Sequence, residues 1–330
     1  MKKILIYNSG GGLGDSIQLI SLILSLQNHF KKSKFFYLSA HTNHFKDKLK
    51  EYGVETETLN LHLKYFGFRW WHLFKVKKKI KEKDIPRFDL IIDLQSKLRN
   101  TIILKQIPCS YFYSSTYNFF FCSNDVTGSN IKSQFKANKK MWSIIFNLKL
   151  FLNNKFKMIE YSTENISKKY YFEDKKLLPE SNYIGLSITQ GNKYRKKSWN
   201  VNNFINLAKK YISEGKKIVF FIEKSDVDLI DHIKIKLPDS IFPEHKSEIA
   251  CPALVTALAS RLEGAVTIDN GVMHMIGLAK IPMIILFGPT NSKKFAPLGS
   301  DIKIIDSKEI YKSKDINKIT LQDVLKRINF

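Results

Sequence analysis

Apolar and polar positions fall along this chain in blocks whose period changes. Residues 3–7 form a short apolar run of strand length, and glycines interrupt the pattern at 9–15. Residues 16–30 then carry Ile17, Ile20, Leu24 and Phe30 at helical spacing. Apolar runs at 34–38 and 88–94 predict two further buried strands, the second bounded by Pro86. Buried strands that alternate with helices predict a parallel sheet covered on both faces. The pattern restarts in the second half. Strands are expected at 182–188, 217–222, 265–268 and 283–287, and helices at 202–214, 226–236, 252–263 and 272–279. Residues 160–179 are charged and weakly periodic, which places the boundary there. The expected domains are 1–165 and 166–316, followed by a tail, 317–330, with an amphipathic helix at 321–328.

Two segments fit neither pattern. Residues 61–87 mix Tyr65, Phe66, Phe68, Trp70, Trp71 and Phe74 with Lys75, Lys77, Lys78, Lys79 and Lys81. Residues 111–122 bring together Tyr111, Phe112, Tyr113, Tyr117, Phe119, Phe120 and Phe121. Aromatics interleaved with basic residues suit base stacking or a membrane interface. An aromatic stripe turned to a core, with its lysines in water, has the same pattern. Neither an RNP-like nor a GxxG element accompanies them.

The 330 residues, 44% hydrophobic and 13% aromatic, exclude a disordered basic chain and suffice for two cores. Against 30 acidic residues stand 54 Lys and Arg, a net charge of +24. Nucleic acid, an anionic membrane or a phosphorylated substrate would each fit that sign. So would a chain rich throughout in Lys, Asn and Ile, so charge alone names no partner. Cys109, Cys122 and Cys251 are odd in number and form no CxxC pair, which argues against a disulfide framework or structural zinc. The apolar start stops at Asn8-Ser9, unlike a signal peptide. The longest apolar stretches, 17–26 and 281–287, are shorter than the roughly 18–20 residues of a membrane span. The expected location is cytoplasmic, with peripheral contact at the inner face of the inner membrane compatible with it.

Three motifs carry chemistry. Gly10-Gly11-Gly12-Leu13-Gly14-Asp15 lies between the first strand and the first helix, where backbone can approach a ligand. Its spacing is neither GxGxxG nor a P-loop. Asp15 stands at the helix start, an ordinary place for a capping acid and equally for a base. Next, Ser187-Ile188-Thr189-Gln190-Gly191 leads into the cationic run 193–197, a pairing that suits a phosphate. A solvated basic loop reads the same way. Last, Asp269-Asn270-Gly271 ends one strand and opens a helix that carries His274 about one turn in. Gly288-Pro289-Thr290 ends the next strand and should border the same crevice. Helix-start amides can hold an anion there without a metal, although a lone His in an apolar helix is usually core. Asp226-Val227-Asp228 has the Asp-x-Asp form of metal-dependent sugar transferases, but it stands where a helix should open.

In this order the motifs resemble glycosyltransferase family 9, the ADP-heptose:lipopolysaccharide heptosyltransferases. Gly12-Leu13-Gly14-Asp15 is similar to the family's Gly-x-Leu-Gly-Asp. The segment from Asp93-Leu94-Gln95 to Arg99 resembles Asp-Leu-Gln-Gly-Leu-x-Arg, and Lys197-Ser198-Trp199 resembles Lys-Arg-Trp. Asp269 to His274 resembles Asp-Ser/Thr-Gly-x-x-His, and Leu286 to Thr290 matches Leu-Phe-Gly-Pro-Thr, with Pro297 following. Asn270 stands where Ser or Thr is usual. Leu19-Ile20-Ser21-Leu22 replaces Thr-Leu-Pro, and residues 100–180 match weakly.

The resemblance implies a GT-B fold: α/β, with two Rossmann-like domains facing a central cleft and the tail packed back on the first domain. It implies an inverting, metal-independent transfer of a sugar from a nucleotide diphosphate, with heptose from ADP-heptose as the expected donor. Asp15 would be the catalytic base, in an acceptor-side loop with Gly12 and Gly14. Lys197 would neutralise the leaving group. Thr189, Asp269, Asn270, Gly271, His274, Gly288 and Thr290 would bind the donor. The nucleotide sugar is a substrate, and no cofactor is expected. The acceptor would be an acidic glycolipid such as the lipopolysaccharide inner core, reached by peripheral contact with an anionic membrane, and no nucleic acid is expected as partner. Use of another nucleotide sugar, or basic nucleic-acid binding, are the competing readings.

Overall fold

The computed structural model describes residues 2–40, 42–82, 85–95, 97–123, 157–191, 193–297 and 299–328. The chain divides into two compact units, Met1–Tyr161 and Ser162–Phe330.

Among the described residues, the first unit holds five parallel strands: β1 (Lys3–Asn8), β2 (Lys34–Ser39), β3 (Glu57–Thr58), β4 (Phe88–Asp93) and β5 (Cys109–Ser114). Their order is β3-β2-β1-β4-β5. Ile4, Leu5, Ile6, Leu90, Ile91 and Ile92 are fully buried, as strands covered on both faces require. Described helices are α1 (Leu13–Ile17), α2 (Ile20–His29), α3 (His72–Lys81) and α4 (Leu98–Leu104). The helix expected at 16–30 starts earlier, at Leu13, and breaks after Ile17, so Asp15 lies within its first turn. The chain steps outward from β1 to β3, then returns to lay β4 on the other side of β1. That reversal opens a crevice at the carboxyl ends of β1 and β4. There Tyr7 is in register with Asp93, so the glycine loop and the loop after Asp93 emerge side by side.

The second unit repeats the plan. Its strands are β6 (Tyr183–Ser187), β7 (Lys217–Phe221), β8 (Leu262–Ile268), β9 (Met283–Phe287) and β10 (Ile302–Asp306). All run parallel, in the order β10-β9-β8-β6-β7. The helices are α5 (Lys168–Leu177), α6 (Val201–Ser213), α7 (Val227–Lys236), α8 (Pro252–Ala259) and α9 (Gly271–Leu278). Three short ones follow: α10 (Ser292–Phe295), α11 (Ser307–Tyr311) and α12 (Leu321–Leu325). Here the reversal lies between β6 and β8, and it brings the second and third sequence motifs to adjacent strand ends.

The helix expected at 252–263 stops at Ala259, because Leu262 already belongs to the buried strand β8. Val324 of α12 lies in the second unit's own core, and Leu321, Leu325 and Ile328 pack against that core. Trp199 Nε1 donates to Ile319 O at 2.8 Å and fixes the approach to α12. The apolar face of the segment is thus satisfied within its own unit. Among the described residues, no helix is long and apolar enough to cross a membrane. Cys109, Cys122 and Cys251 are free thiols.

Candidate active site

In the first unit, Asn8 organises the crevice. Its side-chain carbonyl accepts from Gly10 N at 3.0 Å and from Gln95 Nε2 at 2.6 Å. Its amide donates to Tyr37 Oη at 3.1 Å. One buried side chain therefore ties the loop after β1 to the loop after β4. Asp93, also buried, accepts from Gln95 N at 2.9 Å, Thr101 Oγ1 at 2.5 Å and Ser114 Oγ at 2.8 Å. It braces the loop from below.

Asp15 folds back over this floor. A Cβ on Gly10 would lie 2.7 Å from Asp15 Cβ and 2.9 Å from its Oδ2, and one on Gly12 would lie 3.3 Å from Oδ2. Gly10 is required by that close approach, and Gly12 is pressed nearly as closely. Asp15 is half-buried, open enough to meet a ligand. Beneath it, burial pushes the Tyr37 phenol up to about 12, with hydrogen bonds from Ser16 and Asn8 opposing and the Asp15 charge adding to the rise. Tyr37 therefore stays protonated at neutral pH.

In the second unit, Lys197 and Asp269 form an ion pair of 2.5 Å, their side chains only 13% and 8% exposed. The same Asp269 Oδ2 accepts from Thr290 Oγ1 at 2.5 Å. Lys197 Nζ also reaches Asp269 O at 3.3 Å, and its backbone N–H donates to Gln190 Oε1 at 2.6 Å. Three loops, after β6, β8 and β9, thereby converge on one carboxylate.

Asn270 explains its own departure from Ser or Thr. Its side-chain oxygen caps α9 by accepting from Met273 N at 2.8 Å. Its amide donates to Ser187 Oγ and to Thr189 O, each at 2.8 Å. A hydroxyl could cap the helix but lacks the second arm that pins the β6 loop. Gly271 opens α9, whose first turn presents backbone donors that a helix leaves unpaired by its own bonding. His274 is buried within that first turn.

Gly288 has a packing reason to be glycine. A Cβ there would meet Ile316 Cβ at 2.8 Å and Lys314 O at 3.0 Å. Lys308 and Gln190 were not singled out as site residues in the sequence. Lys308 Nζ donates to the Thr290 carbonyl and lies 3.8 Å from Asp306 Oδ2. No local signal separates Lys308 from the lysine background, whereas Gln190 sits inside the polar glycine loop already singled out. Asp226 and Asp228 stand at the start of α7, where acids complement a helix end. Among the described residues, no three His, Cys, Asp or Glu side chains gather as a metal ion would require.

A family model described as glycosyltransferase family 9 (heptosyltransferase) matches residues 73–325. The match begins after the loop that carries Asp15. Comparison with curated protein sequences finds no match. Among solved structures, a glycosyl transferase family 9 protein from Veillonella parvula is similar, with TM-score 0.66 and 15% identity over 99% of this chain and 95% of that one. The E. coli ADP-heptose lps heptosyltransferase II is similar at TM-score 0.63 and 15% identity, over 99% and 97%. E. coli heptosyltransferase WaaC with ADP-2-deoxy-2-fluoro heptose gives 0.63 and 13%, over 98% of each chain. Two doubly wound parallel sheets, as found in these structures, make the fold one of GT-B type.

Proposed function

Since the chain belongs to glycosyltransferase family 9 and is therefore a glycosyltransferase, we propose that it moves a heptose from ADP-heptose, with inversion, onto a lipopolysaccharide inner core or related acidic glycolipid. One observation carries the reading: a buried Lys197–Asp269 pair, joined by Thr290, beside the start of α9 at the β6/β8 reversal. That is where an open α/β sheet binds its ligand, and the Lys197 ammonium with the amides at the start of α9 suits a diphosphate. One similar E. coli protein is named for ADP-heptose and another was solved with ADP-2-deoxy-2-fluoro heptose, and both support the donor.

In the proposed reaction an acceptor hydroxyl attacks the anomeric carbon from the face opposite the diphosphate. Its proton passes to the Asp15 carboxylate, and the bond between the anomeric carbon and the diphosphate oxygen breaks. The bonding electron pair leaves with ADP. Lys197 and the first-turn amides of α9 meet the charge that grows on the leaving oxygens, a role fixed dipoles perform without reorganising. Asp269 holds Lys197 in place and offers its carboxylate to the sugar hydroxyls, while His274 shapes the donor pocket. Neutralisation by these groups requires no divalent cation. The acceptor would be drawn from the inner face of an anionic membrane.

The test is transfer from ADP-heptose to a core lipopolysaccharide truncated before its first heptose, with the product's anomeric configuration read by NMR. Inversion, and turnover that survives EDTA, are expected. Retention, or activity abolished by EDTA and restored by manganese, contradicts the mechanism.

A further inference from the structure

The aromatic and basic segment of the first unit presents its rings to solvent. Phe66 is fully buried, but Tyr65, Phe68, Trp70, Trp71 and Phe74 are 49%, 36%, 53%, 53% and 71% exposed. Large apolar side chains gathered on an open surface mark an interaction site. The helix that follows is divided in the same way. His72 and Val76 of α3 are buried, and Leu73 and Ile80 pack on the unit's core. Lys75, Lys77, Lys78 and Lys81 point to solvent beside Phe74. Phe74 and Lys78 lie one helical turn apart on α3, so a ring and an ammonium group share its exposed side.

The segment is held rigidly. Tyr7 Oη donates to Phe66 O at 2.8 Å, and Arg99 Nε donates to Gly67 O at 2.8 Å. His72 Nδ1 accepts from Gly67 N at 3.1 Å. Gly67 has a φ of 81°, and a Cβ there would lie 2.8 Å from Asn100. Lys97 lies over the Phe68 ring at 5.6 Å, and Arg69 over Trp71 at 5.5 Å. Tyr7, Arg99 and Asn100 belong to β1 and α4, the elements that frame this unit's crevice. The surface is therefore anchored to the acceptor-side loops.

We infer that residues 65–81 form a docking surface for an anionic phospholipid bilayer, with Trp70, Trp71 and Phe74 entering the headgroup layer and the α3 lysines meeting its charge. This rests on the reading of the acceptor as a membrane-held glycolipid and names the surface that would reach it. Charge complementarity selects the partner: among the described residues of 65–82 the one acid is Glu82, paired with Lys78 at 3.7 Å beside this row of cations. An outward helix face with a ring at its start suits a flat interface. A single strand of nucleic acid is held along a groove instead.

The test is cosedimentation with vesicles of phosphatidylcholine alone, or of phosphatidylcholine and phosphatidylglycerol in equal parts, together with tryptophan emission. The wild type should bind only the anionic vesicles, with a blue shift. Each lysine near a charged membrane is worth about fivefold in affinity. The combined Lys75→Gln, Lys77→Gln, Lys78→Gln and Lys81→Gln variant should therefore bind at least about a hundredfold more weakly. The Trp70→Ser, Trp71→Ser and Phe74→Ser variant should lose the blue shift. The lysine variant should unfold at the wild-type temperature, since its changed side chains are exposed, and both variants should bind ADP as the wild type does, since the proposed nucleotide site belongs to the other unit. Absence of wild-type binding to anionic vesicles, or unchanged binding by either variant, overturns the inference. So does a single-stranded oligonucleotide that binds this surface when vesicles do not. Vesicle binding without sugar transfer would sink the transferase reading and leave the docking surface standing.

Discussion

At the residue scale, the proposed chemistry rests on a few side chains whose surroundings force their positions. Asp15 is folded against Gly10 and half-open to solvent. Asp15→Ala should lower kcat by about 10²–10⁴, the usual worth of a general base. ADP affinity should be unchanged, because the proposed nucleotide site belongs to the other unit. Wild-type turnover in that variant would remove Asp15 from the mechanism. Asp269→Asn removes the charge that holds Lys197 and Thr290. It should lower kcat by about 10²–10³, in the range for losing one transition-state donor. Asn270→Ser keeps the cap of α9 but loses the donors to Ser187 and Thr189. It should destabilise the protein by about 1–3 kcal/mol, measured by denaturant titration. The meeting of Lys197, Asp269 and Thr290 was legible because each lies in a short motif at a strand end. Lys308 was not, since its role depends on folding beside the Thr290 carbonyl. Nor was the packing of Gly288, which depends on the distant segment 314–316.

At the scale of elements, α5 shows why some structure escaped the pattern. Residues 160–179 look charged and aperiodic, because only Tyr170 and Asp174 of α5 are buried. Asp174 is an acid at a core position, and its Oδ1 has no hydrogen-bond partner among the described residues. Burial raises its carboxyl from 3.8 to about 6, with the Arg261 and Lys175 charges only partly opposing. Between those two values the folded protein holds a proton that the unfolded chain has released. This contribution to stability is therefore full below about pH 4 and is lost as pH rises through about 6. Asp174→Asn should remove that slope and exceed the wild type in stability at pH 7–8, as read from denaturation midpoints between pH 4 and 8. A parallel pH dependence in both proteins would contradict the assignment. The edge strand β5 was hidden differently: its aromatic residues fit a surface cluster and a core-facing stripe alike, and Phe112 and Tyr113 are buried in the sheet. The central strands were plain because burial on both faces leaves an unbroken apolar run.

For the whole molecule, the repeated strand pattern was enough to predict two α/β units, and both sheets have the doubly wound order. What periodicity could not supply was strand order, and with it the crevices that bring distant motifs together. The net charge of +24 has also become more specific. Part of it is the buried lysine at the proposed diphosphate site, and part is the row of lysines along α3. Much of the remainder lies on solvated surface with no site attached. Donor competition tests the central claim most directly. The protein would be offered ADP-heptose and a panel of other nucleotide sugars together with a heptose-free core lipopolysaccharide, and the product weighed by mass spectrometry. Addition of one heptosyl residue, ADP release in equal amount and a kcat/KM highest for ADP-heptose are expected. Preferential transfer of a different sugar, or no transfer from any member of the panel, would contradict that claim.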